Sequence, residues 1–367
     1  MIPVTDLKRP EQEIRSEIDA ALARVARRGR FILGPEGEAF ERAFAAFCGG
    51  AHCIGVGSGT DALQIALMAC GIGPGDEVIT VSLTSVATVC AVERTGAKPV
   101  LVDVHPETLT MDPDAIPAAL TKRTRAILPV HLHGSPADLE PILRLAGGHG
   151  LAVIEDCAHA HGARYRGKRA GSWGTISAFS FYPTKNLGAH GDGGAVVTDD
   201  PDLAGRARRI RQYGWDSDRI SRCKGFNSRL DEMQAAVLGV KLGSLEKWNA
   251  ERRALAEEYD RGLRDSGLRL PVSLPDTTHV YYTYAVRHSH RDALRKHLAR
   301  NGISTAIHYP VPVHLQPAYA DLGLASGSLP AAEAAARELL TLPLFPGMRR
   351  AELEQVIDAI RDFRPES

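Results

Sequence analysis

From Ala51 to Thr198 the chain alternates short runs rich in β-branched residues with longer stretches whose apolar positions recur at helical spacing. The runs CIGVG (53–57), EVITVS (77–82), KPVLVDV (98–104), RAILPVH (125–131), LAVIED (151–156), ISAFSFY (176–182) and GAVVT (194–198) predict seven strands. TDALQIALMAC (60–70), SVATVCAVERTG (85–96), DPDAIPAALT (112–121) and ADLEPILRLAGGHG (137–150) predict helices between them. Near-continuous apolar strands alternating with helices imply an α/β fold with a mostly parallel seven-stranded sheet covered on both faces. The last two strands lack a full helix between them, so one of them is expected to run antiparallel.

After Asp231 the texture changes. Residues 230–263 form one long amphipathic stretch, with a break expected near Gly243. VYYTYAVR (280–287), a helix over 290–301, ISTAIHYP (303–310) and closing helices near 331–340 and 350–362 follow. This divides the chain into a large domain, 1–245, and a smaller C-terminal α/β domain, 246–367.

Composition narrows the partners more than the fold. Lys+Arg and Asp+Glu are both 44, so no nucleic acid or anionic membrane is expected. The basic run RVARRGR (24–30) reads as a helix end; RARRIRQYG (206–214) is a second local run. No stretch approaches roughly 18 apolar residues, and the first residues lack an apolar signal core, so a cytoplasmic protein is expected. Six cysteines (48, 53, 70, 90, 157 and 223) fall at irregular spacings without a C-x-x-C pair. They read as free thiols, and no metal site is expected.

Three features carry candidate chemistry. GVGSGTD (55–61) is a glycine turn entering a helix, where the N–H groups of Gly59 and Thr60 and the hydroxyls of Ser58 or Thr60 could cradle a phosphate. Asp156 ends an apolar strand, where a carboxylate needs a cationic or N–H partner. Lys185, in FSFYPTKNLGAHGDGG (179–194), follows a strand that breaks at Pro183 and precedes a glycine-rich loop; Ser180 lies five residues before it. Each feature alone has an ordinary structural explanation: a helix start, a salt bridge, a surface lysine. One ligand uses all three. Pyridoxal 5′-phosphate (PLP) needs an amine for its aldehyde, a carboxylate for its pyridine nitrogen, and donors for its phosphate.

The motifs FILGPE, GVGSGTDAL, GIGPGDEVI, PVHLHGSPADL, VIEDCAHAHGA, FSFYPTKNLGAHGDGGAVVT, NSRLDEMQAAVL, IHYPVPVHLQPAY and LPLFPGM occur in order along almost the whole chain. In these the sequence resembles the DegT/DnrJ/StrS nucleotide-sugar aminotransferases, PLP enzymes of the aspartate aminotransferase fold (fold type I). The resemblance implies that Lys185 forms the Schiff base and Asp156 meets the pyridine nitrogen. It implies that Ser58, Gly59, Thr60 and Ser180 hold the phosphate, His159 lies at the phenolic oxygen, and Asn227 reaches the phosphate of a neighbouring subunit. A homodimer with shared active sites follows. Two departures stand out: many relatives carry Gln where this chain has His159, and many carry an aromatic over the ring where this chain has Ser85.

Relatives that dehydrate sugars replace the Schiff-base lysine by histidine; Lys185 is present, so transamination from L-glutamate to a ketosugar is implied. The run FYPTKNLGAHGDGG looks like that of members aminating C3, which implies a dTDP-3-keto-6-deoxyhexose as substrate. A UDP-3-keto-sugar or a C4-keto-sugar is the alternative. Tyr182, His308 and Tyr309 are the candidates for contacting the sugar or its diphosphate, and Arg229 for an anion or a structural ion pair. A PLP-binding regulatory protein without turnover is the non-enzyme alternative. A dinucleotide oxidoreductase is disfavoured, because no acidic residue follows GVGSG at the expected strand end.

Overall fold

The computed structural model describes residues 1–364. Seven strands form the central sheet: β1 (His52–Val56), β2 (Glu77–Val81), β3 (Lys98–Val102), β4 (Thr124–Ile127), β5 (Ala152–Asp156), β6 (Ile176–Ser180) and β7 (Gly194–Thr198). Their spatial order is β1-β7-β6-β5-β4-β2-β3. β7 pairs antiparallel with both β1 and β6, while the other pairings are parallel. The missing helix before β7 is what allows the reversal, since a parallel connection needs a crossover of a dozen residues or more.

Helices α1 (Arg15–Arg28), α2 (Pro35–Cys48), α3 (Gly59–Ala69), α4 (Val86–Arg94), α5 (Leu139–His149), α6 (Pro201–Ile210) and α7 (Glu232–Leu242) accompany the sheet. α3 is buried along almost its whole length and packs on α4, α6, β6 and β7. It begins where Ser58 Oγ accepts the Asp61 N–H at 3.1 Å. The expected helix over 112–121 shrinks to two short turns, Pro113–Ala115 and Ile116–Ala119. Asp112, before Pro113, is extended, and Pro117 has no N–H to bond back along the helix, which divides the segment.

The long stretch after Asp231 breaks between α7 and α8 (Leu245–Leu263) at Gly243 and Ser244. β8 (Tyr284–Arg287) then pairs antiparallel with β9 (Leu339–Leu342). α9 (Arg291–Arg300), α10 (Pro330–Glu338) and α11 (Arg350–Arg361) complete the chain. Tyr259, Leu263, Tyr284, Leu298, Leu342 and Val356 belong to a second core, which Ile2 joins from the other end of the chain. Ala285, Val313 and Leu339 pack instead into the core of the large sheet. No helix among the described residues is long and apolar enough to cross a membrane.

One buried carboxylate holds the entry to β6. Glu155, fully buried beside Asp156, accepts the N–H groups of Gly171, Trp173 and Gly174 at 2.7, 2.8 and 2.7 Å. His131 Nε2 completes the set at 3.0 Å. Glu155 and His131 lie close to Cys157, but the carboxylate is already occupied by hydrogen bonds. The cluster reads as a structural tie.

Candidate active site

Parallel strands end on the same side of a sheet, and at that side α3, β5 and β6 deliver three different chemistries to one cavity of about 470 Å³. The first is the start of α3, whose leading N–H groups lack intrahelical acceptors. Ser58, Gly59 and Thr60 line the cavity there, and Ser180 faces them from the end of β6. A Cβ on Gly59 would meet Ser180 Cβ at 2.5 Å, so only glycine lets the helix start and strand end approach this closely.

The second is Asp156, 4% exposed at the end of β5. Its Oδ2 accepts Thr88 Oγ1 at 2.8 Å, and its Oδ1 accepts the Ala158 N–H at 3.1 Å. Burial raises its pKa, against the pull of these donors and of the Lys185 charge. The third is Lys185. Burial pushes its amine down to about 7, with the Asp156 charge opposing the shift. Its Nζ stands 4.3 Å from the centroid of the Tyr282 ring. Lys185 is half-buried and lines the cavity.

This donor set fits PLP, with N–H groups and hydroxyls at one end, a desolvated carboxylate at another, and an amine near neutrality between. His159 also lines the cavity. Its Nδ1 accepts the His133 N–H at 3.2 Å, which places the ring proton on Nε2. Burial and the neighbouring Lys185 charge hold its pKa well below the ordinary value. The imidazole is therefore neutral, and its free N–H can donate one hydrogen bond as a glutamine amide would.

Tyr182, His308 and Tyr309 line the same cavity. Tyr182 is 52% exposed, and burial with the Lys185 charge lowers His308 to about 4. Ser85 both caps α4, accepting the Ala87 N–H at 3.4 Å, and lines the cavity together with Tyr309. Asn227 and Arg229 do not line the cavity, and Asn227 is exposed on a segment bridged to Gln212. The sequence reading missed Tyr282, Thr88 and Thr184. Tyr282 sits in the run VYYTYAVR, and Thr88 inside a predicted helix; no local pattern marks either.

The chain matches the DegT/DnrJ/EryC1/StrS aminotransferase family over residues 12–361. It is 54% identical over 363 residues to a dTDP-3-amino-3,4,6-trideoxy-alpha-D-glucose transaminase of Streptomyces venezuelae, covering 99% of this chain and 96% of that one. It superimposes with a TM-score of 0.96 and 54% identity on the crystal structure of S. venezuelae DesV in complex with a ketimine intermediate, covering 98% of each chain. It also matches the Bacillus subtilis NtdA structure with bound cofactor PMP, at 33% identity and a TM-score of 0.89, over 97% of this chain and 83% of that one.

A lysine amine shifted to about 7 is largely unprotonated at pH 8, where an ordinary lysine is not. In cofactor-free protein, the rate of Lys185 modification by an amine-selective reagent should rise with pH and reach half its maximum near pH 7. Peptide mapping of the modified chain checks this; a midpoint close to 10 refutes the desolvated amine.

Proposed function

Because this chain belongs to the DegT/DnrJ/EryC1/StrS aminotransferase family, whose enzymes use PLP, we propose that it transfers the amino group of L-glutamate to the C3 carbonyl of a dTDP-3-keto-6-deoxyhexose. The observation that supports this most is the convergence of Lys185, Asp156 and the α3 N-terminus on one cavity, in a chain so similar to a dTDP-sugar transaminase. The enzyme is read as a cytoplasmic step in deoxyaminosugar biosynthesis.

PLP, when bound, supplies an aldehyde that exchanges for an amino group and a ring that takes up the electron pair left when a substrate carbon loses its proton. Lys185 Nζ would hold the aldehyde end of the cofactor and, as an unprotonated amine, would carry the proton that leaves the donor's α-carbon. The same amine returns a proton to C3 of the ketosugar in the second half. Asp156 holds the ring N–H, its two oxygens already oriented by Thr88 and Ala158. His159 Nε2 donates to the phenolic oxygen. Gly59 and Thr60 offer N–H groups to the phosphate, and Ser180 a hydroxyl. Ser58 accepts from Asp61 and still has its own proton to donate. Tyr182, His308 and Tyr309, on the open side, receive the sugar. We place the boundary between a PLP-binding domain and a C-terminal domain at 245/246, beside the break between α7 and α8.

The test is a pair of half-reactions. L-glutamate should bleach the cofactor absorption and release 2-oxoglutarate, and a dTDP-3-keto-6-deoxyhexose should restore the original spectrum. UDP-linked and 4-keto analogues should react about 10²-fold more slowly, the discrimination that pocket contacts give between closely similar substrates. No response to any amino donor would leave a protein that only holds the cofactor. A faster response to a UDP-3-keto or 4-keto sugar would reassign the substrate.

The exposed Asn227 outside the cavity is read as serving the phosphate of a second copy. Asn227→Ala should then weaken PLP binding by about 1 to 3 kcal/mol, the range for a hydrogen bond to a charged group. Mixing Asn227→Ala with Lys185→Ala under subunit exchange should restore one intact site per mixed dimer, measured as activity above either parent. Confirmed exchange without recovered activity refutes the shared site.

A further inference from the structure

The loop that carries Lys185 (183–194) is held from outside itself. Gly188 makes it a tight turn, since a Cβ there would meet the Pro183 carbonyl oxygen at 2.2 Å. The Gly188 carbonyl accepts Lys241 Nζ, from α7, at 2.8 Å, and Lys241 in turn pairs with Glu11. Further along the loop, His190 Nε2 lies 3.0 and 3.1 Å from the two Glu11 oxygens. Glu11, 9% exposed, thus meets both handles of the loop at once. His190 and Lys241 are the charged or titratable groups facing it.

Glu11 sits on an N-terminal segment that lines a cleft beside the Lys185 loop with Thr5, Leu7 and Pro10 and whose hydrogen bonds further back run to the other core. The Ile2 N–H donates to the Gly302 carbonyl at 2.8 Å, and the Ser304 N–H to the Ile2 carbonyl at 2.9 Å. The Leu344 N–H donates to the Val4 carbonyl at 3.2 Å. Arg9 forks onto Glu352 of α11 at 2.6 and 2.9 Å, a bidentate pair that fixes direction as well as distance. Residues 1–11 therefore span from the second core to the Lys185 loop.

We propose that Glu11 is a positioning residue for Lys185, and that residues 1–11 form a strap through which the seating of the C-terminal core sets the lysine loop. The proposal rests on Lys185 being the reacting amine. A displacement of about 1 Å at a reacting group is enough to cost roughly 10²-fold in rate, so a carboxylate well removed from the substrate can govern turnover. The loop is also tied directly to the C-terminal half, where Asn186 Nδ2 donates to Asn249 Oδ1 of α8 and to the Val280 carbonyl at 2.9 Å each; the strap is a second line, reaching the far side of the loop at Gly188 and His190.

Two variants test it in the PLP-loaded enzyme with L-glutamate and the ketosugar it uses. Glu11→Gln cuts the strap from the loop; Arg9→Met cuts it from α11 without touching the loop. Each should lower kcat about tenfold with both KM values within about twofold, the pattern of a lost transition-state placement. The double variant should be no slower than the slower single one, because both cuts sever one path. In cofactor-free protein the pH midpoint of Lys185 modification should move by about half a pH unit in both. An Arg9→Met enzyme with wild-type kcat and midpoint overturns the strap, and decides the matter even if Glu11→Gln does not fold. Additive losses overturn it too. If wild-type enzyme fails the glutamate half-reaction, the reading of Lys185 fails instead, which is a separate result.

Discussion

The site depends on two opposite charges kept out of water near each other. Burial alone works against both, lowering the Lys185 amine and raising the Asp156 carboxyl, and each is the other's partial compensation. A buried carboxylate also needs donors, and Asp156 finds them in Thr88 and the Ala158 N–H. The remaining capacity of both groups points into the cavity. β5 and β6 are parallel neighbours, so their carboxyl ends place Asp156 and the approach to Lys185 side by side. The start of α3 is drawn against the same strand ends because Gly59 and Gly194 have no side chains to keep it away.

The far wall comes from the second half of the chain. The segment bearing His308 and Tyr309 is tied to the end of β2 by the Val313 N–H, which donates to the Ser82 carbonyl at 3.0 Å. Ser82 Oγ lies 2.6 Å from His314 Nδ1, and His314 Nε2 lies 3.2 Å from Glu333 Oε1. That serine–histidine–carboxylate order resembles a hydrolytic triad on paper. All three groups are buried, so no substrate reaches the serine, and the row serves as an anchor. It carries the segment over a cavity whose floor is made by the first half of the chain.

Much of this was legible in the sequence because local physics decided it. The seven sheet strands fall within a few residues of the apolar runs, and the turn from strand into glycine-rich loop at Pro183 marked Lys185. The runs overshot where tertiary packing ended pairing early: 125–131 stops at Ile127, before Pro129, which has no N–H to give. VYYTYAVR becomes strand only from Tyr284, because Tyr282 turns to Thr184 and Lys185 instead. β9 was not read at all, being short and following directly on α10. Residues such as Thr88 and Glu11 gain their importance from partners 68 and 230 positions away, Asp156 and Lys241, and nothing at their own positions signals it.

The central claim is that Lys185, and no other amine of this chain, is the one presented to PLP. Borohydride reduction of the PLP-loaded protein, followed by peptide mapping by mass spectrometry, tests it directly. A single phosphopyridoxyl group on the peptide containing Lys185, absent in Lys185→Ala, is the predicted result. A group carried mainly by another lysine, or none carried at all, would contradict the account.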